Sequence, residues 1–343
     1  MLNRHDMPGP RLEARPDLES RKKVNALLHV RVAARETLAD DIVGFELTST
    51  TDEPLPSYEA GSHIDVHLPN GLIRQYSLHD LDATRRHYRI AVLREPNSRG
   101  GSAHLFAAVR EGDILQISVP RNHFAISPGP ERSLLFAGGI GITPLLCVAQ
   151  QLSQEGRPFE FHYCGRTHSR MAFVEQLRGA LYADKVLIHV DDGPENQRLD
   201  LVKVLSGPSP DKRLYVCGPA GFMDYILKQA RDLGWAEERL HREYFAAAPI
   251  DHSADGPFEL QVLSTGRVIS VRHDQSAATA LLDAGIDLSL SCEQGVCGTC
   301  LTKVAGGVPD HRDLYLTSGE HARNDCFAPC CSRSRTPRLV IDI

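Results

Sequence analysis

Residues Ser291–Cys300 read S-C-E-Q-G-V-C-G-T-C and place Cys292, Cys297 and Cys300 in a C-x4-C-x2-C pattern, with Cys330 following at a distance. This is the spacing of plant-type [2Fe-2S] ligands, three thiolates in one loop and a fourth from elsewhere in the chain. Two irons bridged by two sulfides need four thiolates, and a loop that supplies three must be thin enough to wrap the inorganic core. Gly295 and Gly298 give it that thinness. Zinc knuckles use two paired C-x2-C units. Here the fourth cysteine stands apart from any such pair, so a zinc site or a set of unrelated buried cysteines fits less well. Cys331 and Cys326 compete with Cys330 for the fourth place, and the spacing favours Cys330.

A cluster of this kind takes one electron at a time, which raises the question of their source. The chain has 343 residues, a length that suits two or three domains, and 42% hydrophobic residues, enough for proper cores. A net charge of -6 argues against nucleic acid as a partner, because phosphate contacts call for a basic surface. No apolar run approaches the roughly 18 residues of a membrane span. The N-terminus also lacks the apolar stretch of a signal peptide. Nine cysteines without export signals read as ligands and free thiols in a reducing cytoplasm. Residues 1–22 mix charge and proline without periodicity and read as a mobile extension; Asp6, Glu13, Asp17 and Glu19 make it too acidic for a transit peptide.

From residue 23 to 127, six short alternating runs separated by turn residues predict a small antiparallel barrel. Within it, Arg74, Tyr76 and Ser77 form R-Q-Y-S. On a strand Arg74 and Tyr76 share a face, where a guanidinium can hold a phosphate and a phenol can pack on a flat ring; an ordinary exposed strand face is the plainer reading. R-G-G-S follows, ending in Gly100, Gly101 and Ser102. Ser102 stands in N-cap position before an apolar-periodic run, so unpaired backbone N–H groups at a helix start would attract a phosphate. A plain capped helix is the alternative there. P-G-P at 128–130 reads as a linker.

Between 131 and 248, strand-like runs alternate with helical ones, which predicts a parallel sheet covered on both faces. Gly138, Gly139 and Gly141 lie in the first strand-to-helix turn, where a diphosphate would meet backbone N–H groups. Thr143 and Pro144 suit the start of the helix, proline being favoured at its first position. Because Pro144 stands where a last glycine would be, this is not the full G-x-G-x-x-G fingerprint. Cys217, Gly218 and Pro219 close another strand at the carboxyl edge, where ligands of such sheets bind; Cys217 reads equally well as a small buried hydrophobe. A last segment, 255–343, reads as a hairpin turning at Thr265-Gly266, a helix ended by Gly285, the cysteine loop and a closing strand.

Taken in order, R-Q-Y-S, R-G-G-S, G-G-I-G-I-T-P, C-G-P and the cysteine pattern resemble the phthalate dioxygenase reductase family over residues 24–343. The resemblance implies a fused flavin barrel, nicotinamide domain and C-terminal ferredoxin domain of β-grasp type. It implies that Arg74, Tyr76 and Ser77 hold FMN and that Gly100, Gly101 and Ser102 receive its phosphate. It places Gly139, Gly141, Thr143 and Pro144 along the dinucleotide, Cys217 near the nicotinamide and Phe245 against the flavin. The resemblance, like the spacing, favours Cys330. The implied activity is hydride transfer from NADH to the flavin, then single electrons to the cluster and on to a separate terminal oxygenase. No haem or Rieske pattern occurs in this chain, and no acid or base residue is required of it. Alternatives are a reductase that binds FAD or serves a cytochrome P450, and a redox sensor without turnover. Arg166, Thr167, Ser169 and Arg170 after the second strand lean towards NADPH by the general dinucleotide rule; the resemblance leans towards NADH, which we take. A monomer suits a shuttle of this kind.

Overall fold

The computed structural model describes residues 27–343 apart from 97, 99, 248 and 249, so the extension read over residues 1–22 and Arg99 of the R-G-G-S motif lie outside the described residues. The alternating runs form an antiparallel sheet of seven strands: β1 (Leu27–Ala39), β2 (Ile42–Ser49), β3 (Ser62–His67), β4 (Ile73–Ser77), β5 (His87–Leu93), β6 (Ile114–Ser118) and β7 (Arg121–Asn122). Their order is β4-β3-β6-β1-β2-β5, with β7 on β3. The period of two sets the inside: on β1, Val30 and Val32 are buried between exposed neighbours, and they pack with Phe45, Ile64, Ile90 and Ile117. Helix α1 (Gly101–Ala108) lays Leu105 on this core.

The second sheet has five strands, all parallel: β8 (Arg132–Gly138), β9 (Phe159–Gly165), β10 (Val186–Val190), β11 (Lys212–Cys217) and β12 (Leu240–Glu243), in the order β10-β9-β8-β11-β12. Central β8 and β11 read as continuous apolar runs because helices cover both faces. Strand β12, L-H-R-E, carries one apolar residue and gives no such signal. Helices α2 (Ile142–Gln154) and α3 (Ala220–Asp232) follow β8 and β11. The strand order reverses between those two strands, which makes their carboxyl ends the ligand-binding crevice of the sheet.

Two local expectations are corrected. The N-cap of α1 is Gly100, in the left-handed region at φ 91, so Ser102 is already inside the helix. Pro144 is the third residue of α2 instead of the first, because the 3-10 turn Gly139–Gly141 runs straight into an α-helix that already starts at Ile142.

The C-terminal unit has a mixed sheet of β13 (Phe258–Val262), β14 (Val268–Val271), β15 (Thr302–Gly306), β17 (Cys326–Phe327) and β19 (Arg338–Asp342), ordered β14-β13-β19-β15-β17. Only β13 and β19 run parallel. A small pair, β16 (Pro309–Asp310) and β18 (Arg333–Ser334), stands beside it. Helix α4 (Ala277–Asp283) is capped by Ser276, whose hydroxyl accepts the Thr279 N–H at 3.0 Å. Helix α5 (Ser318–Arg323) starts with a capping box between Thr317 and Glu320.

The first two units share one core, in which Ile42, Ala60 and Phe124 pack with Leu135, Ile142 and Tyr215. The third touches the barrel through Ser291, whose hydroxyl donates to Asp65 at 2.8 Å, and through Tyr315 at 3.4 Å from His123. Among the described residues, no helix is long and apolar enough to cross a membrane.

Candidate functional site

A cavity of about 490 Å³ opens where the three units meet. The barrel contributes Arg74, Tyr76 and Ser77 of β4, with Ser98 and Ser102 from the start of α1; the parallel sheet contributes Ile140, Thr143, Glu243, Tyr244 and Phe245; and the cluster unit contributes Cys292, Cys297, Leu314 and Tyr315. One cavity therefore touches the strand ends of the parallel sheet, the barrel wall and two of the four cysteines.

On the barrel side the site is shaped for an anion. A Cβ at Gly101 would lie 2.5 Å from the Arg74 side chain, so only glycine lets that side chain cross the start of α1. The Ser98 hydroxyl accepts the N–H groups of Gly100 at 3.2 Å and Ala103 at 3.3 Å and meets the Ser102 hydroxyl at 3.1 Å. Ser98, outside the motif, thus does the capping expected of Ser102. An arginine beside a helix start suits the phosphate end of FMN.

The parallel sheet supplies a residue the sequence reading missed. Glu243 ends β12, in register with Cys217 of β11. Desolvation pushes its carboxyl up to about 8, against a hydrogen bond from Ser77 that lowers it. Its Oε2 is buried and has no hydrogen-bond partner among the described residues. A buried, unpartnered carboxyl oxygen in a cavity wall fits a site completed by a polar ring system. No local signal marked Glu243, because β12 carries a single apolar residue.

The other predicted residues fall around the cavity rather than in its wall. A Cβ at Gly141 would lie 2.3 Å from the Cys217 carbonyl, so glycine there lets the turn after β8 press against the end of β11. Gly139 and Gly141 flank Ile140, which does line the cavity, while Gly100, Gly101, Pro144, Cys217, Gly218 and Pro219 do not. Arg166 follows β9, also outside the wall, and its carbonyl accepts the Asp192 N–H at 3.2 Å. Asp192 and its neighbour Asp191 end the adjacent β10 region, so this edge offers a cation and carboxylates together.

Around the cysteine loop, Cys292, Cys297 and Cys300 are buried and Cys330 is half-buried. Hydrogen bonds from Cys297 and then Cys330 draw the Cys292 thiol well below its ordinary range, and one from Cys330 lowers Cys300. Cys297 and Cys330 are pushed up in turn, chiefly by their bonds to Cys292. Four sulfurs sharing protons in this way fit a soft, four-thiolate iron site. Cys331 also borders the loop: it hydrogen-bonds with Cys330, its Sγ occupies the space a Cβ on Gly295 would need, and it faces the Ala328 carbonyl at 3.8 Å. Cys326 pairs with Lys303 in the sheet. Cys300 and Cys330 do not line the cavity.

The family model for a 2Fe-2S iron-sulfur cluster binding domain matches residues 260–335. A vanillate O-demethylase oxidoreductase from a Pseudomonas species is 50% identical over 92% of this chain and 100% of its own. The crystal structure of phthalate dioxygenase reductase, described as modular for electron transfer from pyridine nucleotides to [2Fe-2S], superposes with TM-score 0.71 at 35% identity, covering 93% of this chain and 98% of that one. The chain belongs to the phthalate dioxygenase reductase family. It shares that family's fold of flavin-type barrel, nucleotide-binding α/β unit and cluster domain. An intact type IV self-sufficient cytochrome P450 monooxygenase also matches, with TM-score 0.83 and 35% identity over 92% of this chain; the chain covers 41% of that longer protein.

Proposed function

We propose that this chain is the reductase component of a multicomponent oxygenase, passing electrons from NADH through FMN to a [2Fe-2S] cluster and on to a separate Rieske-type oxygenase or demethylase. The supporting observation is the shared cavity, in which the Glu243 strand end, the Arg74–Ser77 strand and two cluster cysteines face one space. Residues 23–127 hold the flavin, 131–248 the nicotinamide nucleotide and 255–343 the cluster. When bound, FMN supplies the conversion between a two-electron hydride and single electrons, and the cluster carries these one at a time.

The protein's part is positioning. Arg74, Gly100, Gly101 and Ser102 hold the FMN phosphate, and Tyr76 and Phe245 pack on its ring. Ser77 and Glu243 present a hydroxyl and a protonated carboxyl to the reacting edge. Gly139, Gly141, Thr143 and Pro144 line the dinucleotide path with Cys217, Gly218 and Pro219, and Arg166 stands near its adenosine end. Cys292, Cys297, Cys300 and Cys330 ligate the cluster, and the first two present it to the flavin. The half-identical oxidoreductase points to vanillate or another methoxy- or carboxy-aromatic as the partner's substrate, and we take the reductase to act as a monomer. A second reading, delivery to a cytochrome P450, draws on the match to the self-sufficient monooxygenase.

Anaerobic titration with NADH, followed by absorption and low-temperature EPR, tests this relay. Bleaching of the flavin bands with a rhombic signal of about one spin per chain is expected for a single reduced [2Fe-2S] cluster. A response from the flavin alone would overturn it. Repeating the titration with NADPH settles the nucleotide.

A further inference from the structure

Beside the cysteine loop lies a second cluster of ligating side chains that the relay does not use. His311 follows β16, Asp313 lies two residues on, and His321 projects from α5; each offers a donor atom, all within 4.8 Å of one another. His321 Nε2 is 3.3 Å from both Asp313 carboxylate oxygens, and His311 Nδ1 is 3.8 Å from Oδ1. Donors bound about 2.0–2.2 Å from one divalent ion are held roughly 3–4 Å apart, and both histidine-to-carboxylate distances fall in that range. The two rings stack at 4.4 Å and 20°, turning both towards the carboxylate.

The orientation of His311 decides what the cluster is for. Its Nε2 faces the Asn324 amide oxygen at 3.3 Å, an acceptor, so Nε2 carries the ring proton and Nδ1 presents a lone pair. That Nδ1 is buried without a hydrogen-bond partner, on a side chain only 7% exposed. It points at a fully buried carboxylate, two electron-rich atoms facing each other with no proton between them. An ion pair between His321 and Asp313 does not resolve this. At 3.3 Å it is longer than a charge-assisted hydrogen bond, typically about 2.7–2.9 Å, and it leaves Nδ1 unsatisfied. The neighbouring arginines are committed elsewhere: Arg312 pairs with Asp255 at 2.6 Å and Asp310 at 2.8 Å, and Arg335 lies 3.4 Å from Asp310. A metal ion satisfies all three donors, and the Asn324 contact is the outer hydrogen bond that ligating histidines keep.

We propose that His311, Asp313 and His321 form a mononuclear zinc-type site separate from the cysteines. Two imidazoles and a carboxylate suit zinc or a neighbouring first-row divalent ion, with water completing the shell on the open His321 side. The ion ties α5 to the segment that braces the cysteine loop, where the Leu314 N–H donates to the Gly295 carbonyl at 3.0 Å and the Ser332 hydroxyl reaches Asp313 at 3.5 Å.

The test uses full-length holoprotein, stripped with a chelator under conditions that preserve the cluster's visible spectrum, then exposed to Zn2+ and desalted. About one zinc per chain is expected, with cluster iron unchanged. His321→Ala, on a short half-exposed helix, should weaken zinc binding at least about tenfold while keeping iron and spectrum. His311→Gln should do the same, and zinc should raise the unfolding temperature of the parent but not of His321→Ala. Failure of the parent to retain zinc with its cluster intact would overturn the proposal, as would equal retention by His321→Ala.

Discussion

Cys217 and Cys292 are both buried cysteines, one behind the cavity wall and one in it, and their surroundings push their thiols in opposite directions. At the end of β11, desolvation raises Cys217 well above its ordinary range and the neighbouring Glu243 raises it further. In the cysteine loop, hydrogen bonds from Cys297 and Cys330 lower Cys292 despite its burial. Burial alone keeps a thiol protonated and inert. In the cysteine loop the sulfurs act on one another, lowering Cys292 and Cys300 while raising Cys297 and Cys330, and a single lost member should therefore disturb the whole set.

The harshest way to break this contrast is Cys300→Ser. We expect loss of the cluster and a drop of about 100-fold or more in transfer to acceptors that draw from it, at or beyond the top of the range for losing a ligand's outer-shell partner. Flavin content and NADH-dependent ferricyanide reduction should persist, because Cys300 lies outside the cavity wall and in a separate core. Flavin-to-chain ratio and iron content check this. Loss of flavin as well would show that the cavity depends on the cluster loop.

Glu243→Gln probes the other side at moderate cost. The Glu243 carboxyl titrates near 8 in the folded protein, above its ordinary value of 4.5. The folded state therefore binds the extra proton between these values, and the stability this gives is full below about 4.5 and lost as pH rises through about 8. In the same range a neutral hydrogen-bond donor in the cavity wall becomes an anion. The kcat/KM for NADH should fall through pH 8 in the parent by about tenfold, the worth of one hydrogen bond. The glutamine variant should show no such inflection, and an inflection that survives would remove Glu243 from the site.

The same contrast explains how much the sequence carried. The cysteine loop was legible because its chemistry sits in ten contiguous residues, and the barrel and parallel sheet were legible because periods of two and apolar strand runs are local. The cavity was not, because its walls come from β4, α1, β12 and the cluster unit, which only tertiary packing joins. Glu243 lies on a strand with one apolar residue, so neither the strand nor its buried end had a pattern to announce it. The capping role of Ser98 was hidden for a smaller reason: Gly100 takes the left-handed conformation and starts the helix two residues earlier than a Ser102 N-cap would.

The gentlest probe separates two adjacent cysteines. Cys330 shares hydrogen bonds with Cys292 and Cys300 and also with Cys331, whose Sγ is turned into the space beside Gly295 and towards the Ala328 carbonyl. If ligation follows this geometry, Cys331→Ala removes a small buried hydrophobe and costs about 1 kcal/mol of stability, the usual size for such a truncation. Iron content, the visible spectrum and the EPR signal of the reduced protein should match the parent. Cys330→Ala should abolish all three. An exchange of the two outcomes would mean that the chain between Ala328 and Ser332 turns over when iron binds, so that the pooling of thiols at Cys292 forms around the metal instead of preceding it.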